Sequence, residues 1–266
     1  MLELPDKNQQ IRWLLKDKYA WSDEKTTAFF NALKFGQALP IEPKISHDLV
    51  RLEEGEPIAY VIGWVDFLGG KIDLSYRTLI PRPETEYWTG EVIKEIAAPN
   101  DQLSILDLCS GSGCIGIALL THLPNITVDF SDIDPNAVKQ TKYNLKLNFG
   151  ENFKHAEVYE GHLFDGLSGQ YDYIVCNPPY VDLSGEVGEE TKYEPLSAIF
   201  AQKSGLGLIE EILLKFKKYL KNDGKLYFEF GEGQKSAIEK LARKAEVNTI
   251  TFRTDQFGVI RFAEVT

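Results

Sequence analysis

The sequence predicts an α/β protein with a mostly parallel sheet, preceded by a small helical domain. Three observations support this fold class. From Ser104 onward, strand patterns alternate with helix patterns; the last two strands have no helix between them; and residues 1–55 carry only helical patterns. Strands that alternate with helices form parallel sheets covered on both faces. A chain of 266 residues has room for such a core domain and a small appendage.

Three helices are expected in residues 1–55, the first of them over residues 8–19, where apolar side chains recur at helical spacing. In the second helix, Ser22 is placed to cap the start and Gly36 to end it. The third helix closes at Gly55. These helices form the predicted N-terminal domain.

Residues 56–82 form the predicted linker between two domains. From residue 58 the segment is rich in aromatic and β-branched residues and breaks at Gly69-Gly70, a pattern typical of a β-hairpin. A helix opened by prolines follows, and residues 83–266 form the predicted main domain.

The main domain is expected to contain seven strands, with the last pair antiparallel and a turn directly before the fifth strand. The predicted strands are SILDL (104–108), ITVDFSD (126–132), HAEVYEG (155–161), YDYIVC (171–176), GKLYFEF (224–230), VNTITFRT (247–254) and GVIRFAEV (258–265).

Charge and cysteine content exclude several classes of function. The formal net charge of −11, from 29 basic and 40 acidic residues, disfavours general binding to nucleic acid or to an anionic membrane. Three cysteines without paired spacing predict neither a disulfide framework nor a zinc site, and the four histidines are scattered, so no metal is expected. No secretory leader or membrane span is visible, which favours the cytoplasm over a processed mitochondrial form.

A glycine loop follows the first strand of the main domain. Asp107 ends this strand, and Gly111 and Gly113 lie in the turn after it, where a ligand can approach the backbone closely. The turn matches neither the dinucleotide motif G-x-G-x-x-G nor the P-loop. A phosphate cradle is therefore disfavoured.

An acidic residue, Asp132, ends the second strand. Its carboxylate can accept hydrogen bonds from both hydroxyls of an adenosine ribose. Together with the glycine loop, it indicates a nucleoside that lacks phosphates, and S-adenosyl-L-methionine (SAM) is the obvious candidate. The alternative is a tight strand–helix turn with Asp132 as the cap, although Asp134, directly before Pro135, is the better cap candidate.

The fourth strand ends in Asn177-Pro178-Pro179-Tyr180. The side-chain carbonyl of Asn177 and the backbone carbonyl of Pro178 can accept the two hydrogens of a planar NH2 group, and Tyr180 can stack on a planar substrate. Such a nitrogen is a poor nucleophile, so its methylation depends on positioning and electrostatics rather than on a strong base. The alternative is a rigid turn that only ends a strand.

Three motifs, NPPY after a strand, LDLCSGSG upstream of it and LIPRPETE at residues 79–86, resemble the HemK/PrmC family. The resemblance implies a Rossmann-like SAM-dependent methyltransferase domain with a seven-stranded sheet over residues 83–266. It also implies methylation of N5 of the glutamine in the Gly-Gly-Gln motif of class I peptide-chain release factors, with S-adenosyl-L-homocysteine (SAH) as product. Residues 1–55 would recognise the substrate.

The resemblance also assigns residues to roles. It implies SAM contacts from Asp107, Cys109, Ser110, Gly111, Ser112, Gly113, Asp132, Leu163, Phe164, Asn177 and Thr85. It implies glutamine contacts from Asn177, Pro178, Pro179, Tyr180 and Arg82, with Asn177 and Pro178 as the catalytic pair.

Two positions depart from the family pattern, and two other functions stay open. Cys109 stands where the family usually has glycine, so a different loop geometry is expected, and His162 stands where the family often has aspartate. The alternatives are an adenine-N6 DNA or RNA methyltransferase and a SAM-binding protein without catalysis. A monomer that binds no nucleic acid and no membrane is expected.

Overall fold

The computed structural model describes residues 6–35, 41–96, 102–185 and 188–266. The described helices are α1 (Lys7–Trp13), α2 (Asp23–Lys34), α3 (Pro43–Glu53), α4 (Ile58–Ile62), α5 (Pro83–Ile96), α6 (Cys114–His122), α7 (Pro135–Phe149), α8 (Gly207–Lys215) and α9 (Lys235–Lys244). The described strands are β1 (Trp64–Phe67), β2 (Gly70–Asp73), β3 (Leu103–Leu108), β4 (Ile126–Asp132), β5 (Ala156–Glu160), β6 (Tyr171–Cys176), β7 (Val181–Asp182), β8 (Phe200–Ala201), β9 (Leu220–Glu229), β10 (Ile250–Thr254) and β11 (Ile260–Val265).

The first helices follow the expected pattern, with one local change. α1 continues into a π-helical turn over Leu14–Lys18, which completes the predicted first helix. Ser22 caps α2 as predicted, because its hydroxyl accepts a hydrogen bond from the Lys25 N–H at 3.2 Å. The predicted stop at Gly36 lies outside the described residues.

The predicted hairpin is present, but it begins later than the sequence pattern indicates. Residues 58–62, expected as strand, form the short helix α4, since Pro57 starts the turn and Gly63, at φ +99°, ends it. The hairpin itself consists of β1 and β2, which pair antiparallel from Trp64–Asp73 to Phe67–Gly70.

The main sheet has seven strands in the order β10-β11-β9-β6-β3-β4-β5. The pairs β3–β4, β4–β5, β3–β6 and β6–β9 are parallel, whereas β11 is antiparallel to both of its neighbours. The predicted mostly parallel sheet with an antiparallel closing pair is confirmed.

Strand β9 differs from the prediction at its start. The expected turn before residue 224 is a bulge within the strand, because Leu220 pairs with Tyr171 and the next register partner of Tyr173 is Lys225. Gly224 lies so close to the neighbouring strand that a Cβ on it would be 2.9 Å from the Asp172 carbonyl oxygen. Glycine therefore permits the bulge.

Each face of the main sheet packs against its own hydrophobic core. One core joins α5 and α6 to strand residues such as Val175 and Tyr227, and the other joins α8 and α9 to the alternate residues Ile174 and Phe228. This alternation explains why the central strands are apolar on both faces.

The order of strands reverses beside β3. The chain adds β4 and β5 on one side of β3 and then returns to place β6 on the other. Leu108 at the end of β3 is paired with Ser131 in β4 and with Cys176 in β6. The segments that begin after these residues therefore leave the sheet side by side, at the switch point where α/β proteins bind ligands.

Candidate active site

A pocket opens at this switch point. It encloses about 930 Å³ of empty space when its open mouth is included. The residues assigned above that line it are Arg82, Thr85, Cys109, Ser110, Gly111, Ser112, Asp132, Leu163, Asn177 and Pro179. The structure thus brings together the glycine loop, the end of β4, the NPPY corner and the segment before α5.

Asp107 lies at the base of the glycine loop and is fully buried. Its Oδ2 accepts a hydrogen bond from the Gly116 N–H at 2.9 Å, and burial raises the pKa of its carboxyl group well above the ordinary value. Its Oδ1 and the hydroxyl of Ser110 have no hydrogen-bond partner among the described residues. Buried polar atoms are seldom left unpaired, so these two atoms indicate a ligand that donates hydrogen bonds.

Gly113, also assigned to the cofactor, starts α6 at φ +78°. It does not line the pocket wall, because it lies against α7, where a Cβ would be 2.9 Å from the Thr141 methyl group. Its position therefore requires glycine for the packing of the loop.

Asp132 holds the glycine loop through its carboxylate. Oδ2 accepts from the Gly111 N–H at 2.8 Å, and Oδ1 accepts from the Asp134 N–H at 2.9 Å. The Ile133 N–H also interacts with this carboxylate. A carboxylate has about four acceptor sites, so some acceptor capacity remains for a ligand in the pocket. Asp134 caps α7 by accepting from the Asn136 N–H, which confirms it as the cap and leaves Asp132 for other contacts.

The two residues of the Leu163-Phe164 pair lie in different environments, Leu163 in the pocket lining and Phe164 in the core. Leu163 lines the pocket at φ +51°, and its carbonyl accepts from the Ser131 hydroxyl at 2.6 Å. Phe164 stacks on Tyr219 with ring centroids 4.5 Å apart and packs in the core rather than along the pocket wall. Its expected flanking contact to adenine therefore has no support in its position, whereas His162 does line the pocket, with Nε2 2.9 Å from Glu211 Oε2.

Cys109 retains the backbone conformation that a glycine would adopt. Its φ is +59°, in the left-handed region that glycine adopts most readily. Its thiol adjoins that of Cys176, whose pKa is raised by burial and by this neighbour.

The NPPY corner faces the glycine loop. Asn177 Nδ2 donates to the hydroxyl of Thr85 at 3.1 Å, and the Tyr180 hydroxyl donates to Glu229 Oε1 at 2.9 Å. Asn177 and Pro179 line the pocket, while Pro178 is buried behind it.

Glu229, at the end of β9, was not identified from the sequence. It is fully buried, and its Oε2 accepts hydrogen bonds from the Thr85 hydroxyl and from Trp88 Nε1, both at 2.7 Å. Burial raises the pKa of its carboxyl group despite these donors. The signal in the sequence was an acidic residue between Phe228 and Phe230 in an otherwise apolar strand.

An ion pair lies directly beside the pocket. Arg82 forms an ion pair with Glu194, whose side chain is 1% exposed and also accepts from the Ile80 N–H at 2.8 Å. This contact joins the segment before α5 to the segment that contributes Pro195 and Ser197 to the pocket.

Thr78 also lines the pocket, with a buried hydroxyl that has no partner among the described residues. Nothing in the sequence singled out this residue. Its hydroxyl is a third buried polar atom without a partner among the described residues, in addition to those of Asp107 and Ser110.

The fold and site define a methyltransferase of the SAM-dependent class. The family of the methyltransferase small domain matches residues 91–261. Two solved structures share the fold. These are the human Mettl16 catalytic domain in complex with the MAT2A 3′UTR hairpin 6, with a TM-score of 0.57, 16% identity and coverage of 86% of this chain and 84% of that one, and a methyltransferase from Pyrococcus furiosus, with a TM-score of 0.56, 16% identity and coverage of 83% and 97%.

Curated relatives narrow this class. Proteins named release factor glutamine methyltransferase are similar to this chain in Lactococcus lactis subsp. lactis (34% identity, 81% of this chain and 79% of the relative), Streptococcus pneumoniae (35%, 90% and 85%) and Aliivibrio fischeri (37%, 78% and 72%). The chain belongs to the release factor glutamine methyltransferase family.

Among the described residues, no helix combines the length and apolarity that crossing a membrane requires.

Proposed function

We propose that this protein transfers a methyl group from SAM to N5 of the glutamine in the Gly-Gly-Gln motif of class I peptide-chain release factors, releasing SAH. Family membership supports this substrate. The structural observation that carries the proposal is the position of Asn177, which lies in one pocket with the glycine loop and leaves the sheet beside it.

The residues of the pocket fit SAM. Ser110, whose hydroxyl is unpaired, lines the pocket and suits the polar amino-acid end of the molecule, and the unpaired Oδ1 of Asp107 lies buried at the base of the same loop. Asp132 retains acceptor capacity for the ribose hydroxyls. Leu163 supplies an apolar wall for the adenine. When bound, SAM supplies an electrophilic methyl group on a positively charged sulfur.

The other contributions to the reaction come from side-chain and backbone groups of the protein. Asn177 Oδ1 and the Pro178 carbonyl accept the two hydrogens of the glutamine amide and so favour localisation of the nitrogen lone pair. This arrangement lowers the barrier by positioning and electrostatics, without a general base. The nitrogen becomes acidic only as it gains the methyl group, and it then releases one proton to solvent. Tyr180, held by its hydrogen bond to Glu229, would stack on the planar amide, and Arg82 would border the entrance.

A methylation assay tests the substrate. Tritiated SAM is mixed with the protein and a purified class I release factor, and with the same factor carrying Gly-Gly-Ala in place of Gly-Gly-Gln. Label is expected only in the factor with glutamine. Label in DNA or RNA but in neither factor would replace this proposal with adenine-N6 methylation.

Asn177→Ala separates an active enzyme from a protein that only binds SAM. The clamp acts mainly on the transition state, so the rate is expected to fall by about 100-fold or more while SAH affinity falls only modestly. The exposed Asn125→Ala is the matched control. If Asn177→Ala methylates the release factor at the same rate as the control, the assignment of Asn177 to the amide-binding pair is wrong.

The proposal also includes the cellular compartment in which the protein acts and the roles of the three parts of its chain. The relatives named above are bacterial, which supports action in a bacterial cytoplasm. Residues 1–55 would contact the body of the release factor, residues 56–82 would link this part to the methyltransferase domain of residues 83–266, and the protein would act as a monomer.

A further inference from the structure

Glu229 contacts both sides of the NPPY corner without lining the pocket. Its Oε2 receives hydrogen bonds from Thr85 and Trp88, and its Oε1 receives one from Tyr180. Thr85 in turn contacts Asn177. A chain of hydrogen bonds therefore runs from a fully buried carboxylate to the amide that the proposed reaction uses.

The chemistry of the donors determines which group donates and which accepts in each of these hydrogen bonds. The Trp88 indole N–H can only donate, so Glu229 Oε2 is an acceptor. The Thr85 hydroxyl has a single proton, and donating it to Oε2 leaves only lone pairs for Asn177. Asn177 must then direct its NH2 group toward Thr85.

The opposite orientation of the Asn177 amide is disfavoured by the same contacts. It would require Thr85 to donate to the Asn177 carbonyl, and Glu229 to donate to Thr85 through the oxygen that already accepts the Trp88 N–H. It would also present N–H groups, rather than an acceptor, toward the opposite side of the amide.

We infer that Glu229, acting through Thr85, is a positioning residue that holds the Asn177 amide with its oxygen available to the substrate NH2 group. This inference rests on the proposed function for the identity of the substrate. An inverted amide would face the substrate nitrogen with hydrogens of its own, so the orientation decides whether the clamp works at all. The same carboxylate fixes Tyr180, and both parts of the substrate site share one anchor.

Thr85→Val and Thr85→Ser form the decisive pair. Valine has the shape of threonine but no hydroxyl, whereas serine keeps the hydroxyl. Thr85→Val is expected to lower kcat for the release factor by about 30-fold or more, with KM changed by less than about 3-fold. Thr85→Ser is expected to retain at least about a third of wild-type kcat.

A second measurement does not depend on turnover. The side-chain NH2 protons of Asn177, assigned by their loss in Asn177→Ala, are expected to exchange slowly with solvent in the wild type and in Thr85→Ser, and much faster in Thr85→Val. If the wild type does not methylate release factor, the proposed function fails, but this exchange still decides whether the amide is held by Thr85.

Glu229→Gln and Glu229→Met provide a second pair if Thr85→Val does not fold. Glutamine can keep an oxygen toward Thr85 and Trp88, because both donate, and Tyr180 can turn its hydroxyl to accept from the new NH2 group. Glutamine is therefore expected to keep kcat and Asn177 exchange within about 5-fold of wild type, while methionine loses both. Equal kcat and equal exchange in the two members of either pair would overturn the inference.

Discussion

Two residues other than glycine, Cys109 and Leu163, adopt left-handed backbone conformations in the pocket lining, with φ of 59° and 51°. A residue other than glycine in this region costs of order 1–3 kcal/mol and persists only where the surroundings hold it. Cys109 is held because Leu108 before it is paired with strands on both sides. The loop therefore keeps the geometry of a glycine turn at a cost in stability.

Cys109→Gly is expected to raise the free energy of unfolding by about 0.5–1 kcal/mol, because relief of the strain exceeds the added entropy of the unfolded chain. Urea denaturation at neutral pH measures the change. Cys109→Ala is the control, since it removes the thiol but keeps the Cβ and should show no gain. Equal stability of the two variants would contradict strain at this position.

The buried carboxyl group of Asp107 predicts a pH dependence of ligand binding. Burial raises its pKa, so below that pKa the free protein holds a proton there. A cationic ammonium group favours the ionised form, and binding must then release the proton. SAH affinity is therefore expected to increase as pH rises through the carboxyl range and to level off above the raised pKa.

Calorimetric titration of SAH at a series of pH values measures this dependence. Asp132, whose pKa is also raised by burial, contributes to the slope. Comparison with Asp107→Asn isolates the part due to Asp107. An unchanged slope in this variant would show that Asp107 does not contact the cation.

At the scale of elements, one face of α7 holds the hairpin. Gln140, Asn144 and Asn148 recur every four residues, and each accepts a backbone N–H from the segment of residues 71–76. Asn144 and Asn148 also donate their NH2 groups to backbone carbonyls of β2. The helix thus pairs with the free edge of β2 as a neighbouring strand would, which covers an otherwise exposed edge.

Asn144→Ala is expected to lower the free energy of unfolding by about 2–3 kcal/mol. Asn144 is fully buried, and its loss leaves the Asp73 N–H and the Ser112 carbonyl without their partner. Thermal or urea unfolding measures the effect against the exposed Lys142→Ala on the same helix, which should change stability by no more than about 0.5 kcal/mol.

At the scale of the whole molecule, the pocket joins segments that are distant in the chain. Its lining includes residues at or after the ends of β3, β4 and β6, and Arg82 of the same lining is paired with Glu194, 112 residues away in sequence. A ligand that contacts all of them stabilises the folded state as a unit.

SAH at about 100 times its Kd is therefore expected to stabilise the protein by about 2.7 kcal/mol and to raise Tm by roughly 5–10 °C. Differential scanning calorimetry measures the shift. ATP at the same concentration is the control and should give no shift, because the glycine loop lacks the features of a phosphate cradle. An equal shift with ATP would argue for a nucleotide-phosphate site instead.

The local sequence determined the elements and much of the pocket. Ser22 and Asp134 were identified as caps because capping depends on neighbours within three residues. The alternation of strands and helices predicted a parallel sheet, and parallel strands end at one edge, so the glycine loop and the NPPY corner were expected together. Motifs within single loops could be recognised for the same reason.

Tertiary structure decided what depends on partners far away in the chain. The packing of Phe164 in the core and the bulge in β9 depend on distant partners, Tyr219 and β6, which no local pattern encodes. The helix at residues 58–62, in contrast, has local end signals in Pro57 and Gly63.

Glu229 is the clearest case of dependence on distant partners. Its contact with Thr85 spans 144 residues. The role of an acidic residue in an apolar strand cannot be inferred until its three hydrogen-bond donors, Thr85, Trp88 and Tyr180, are known. Burial of the carboxylate makes those contacts necessary, and only the folded chain creates that burial.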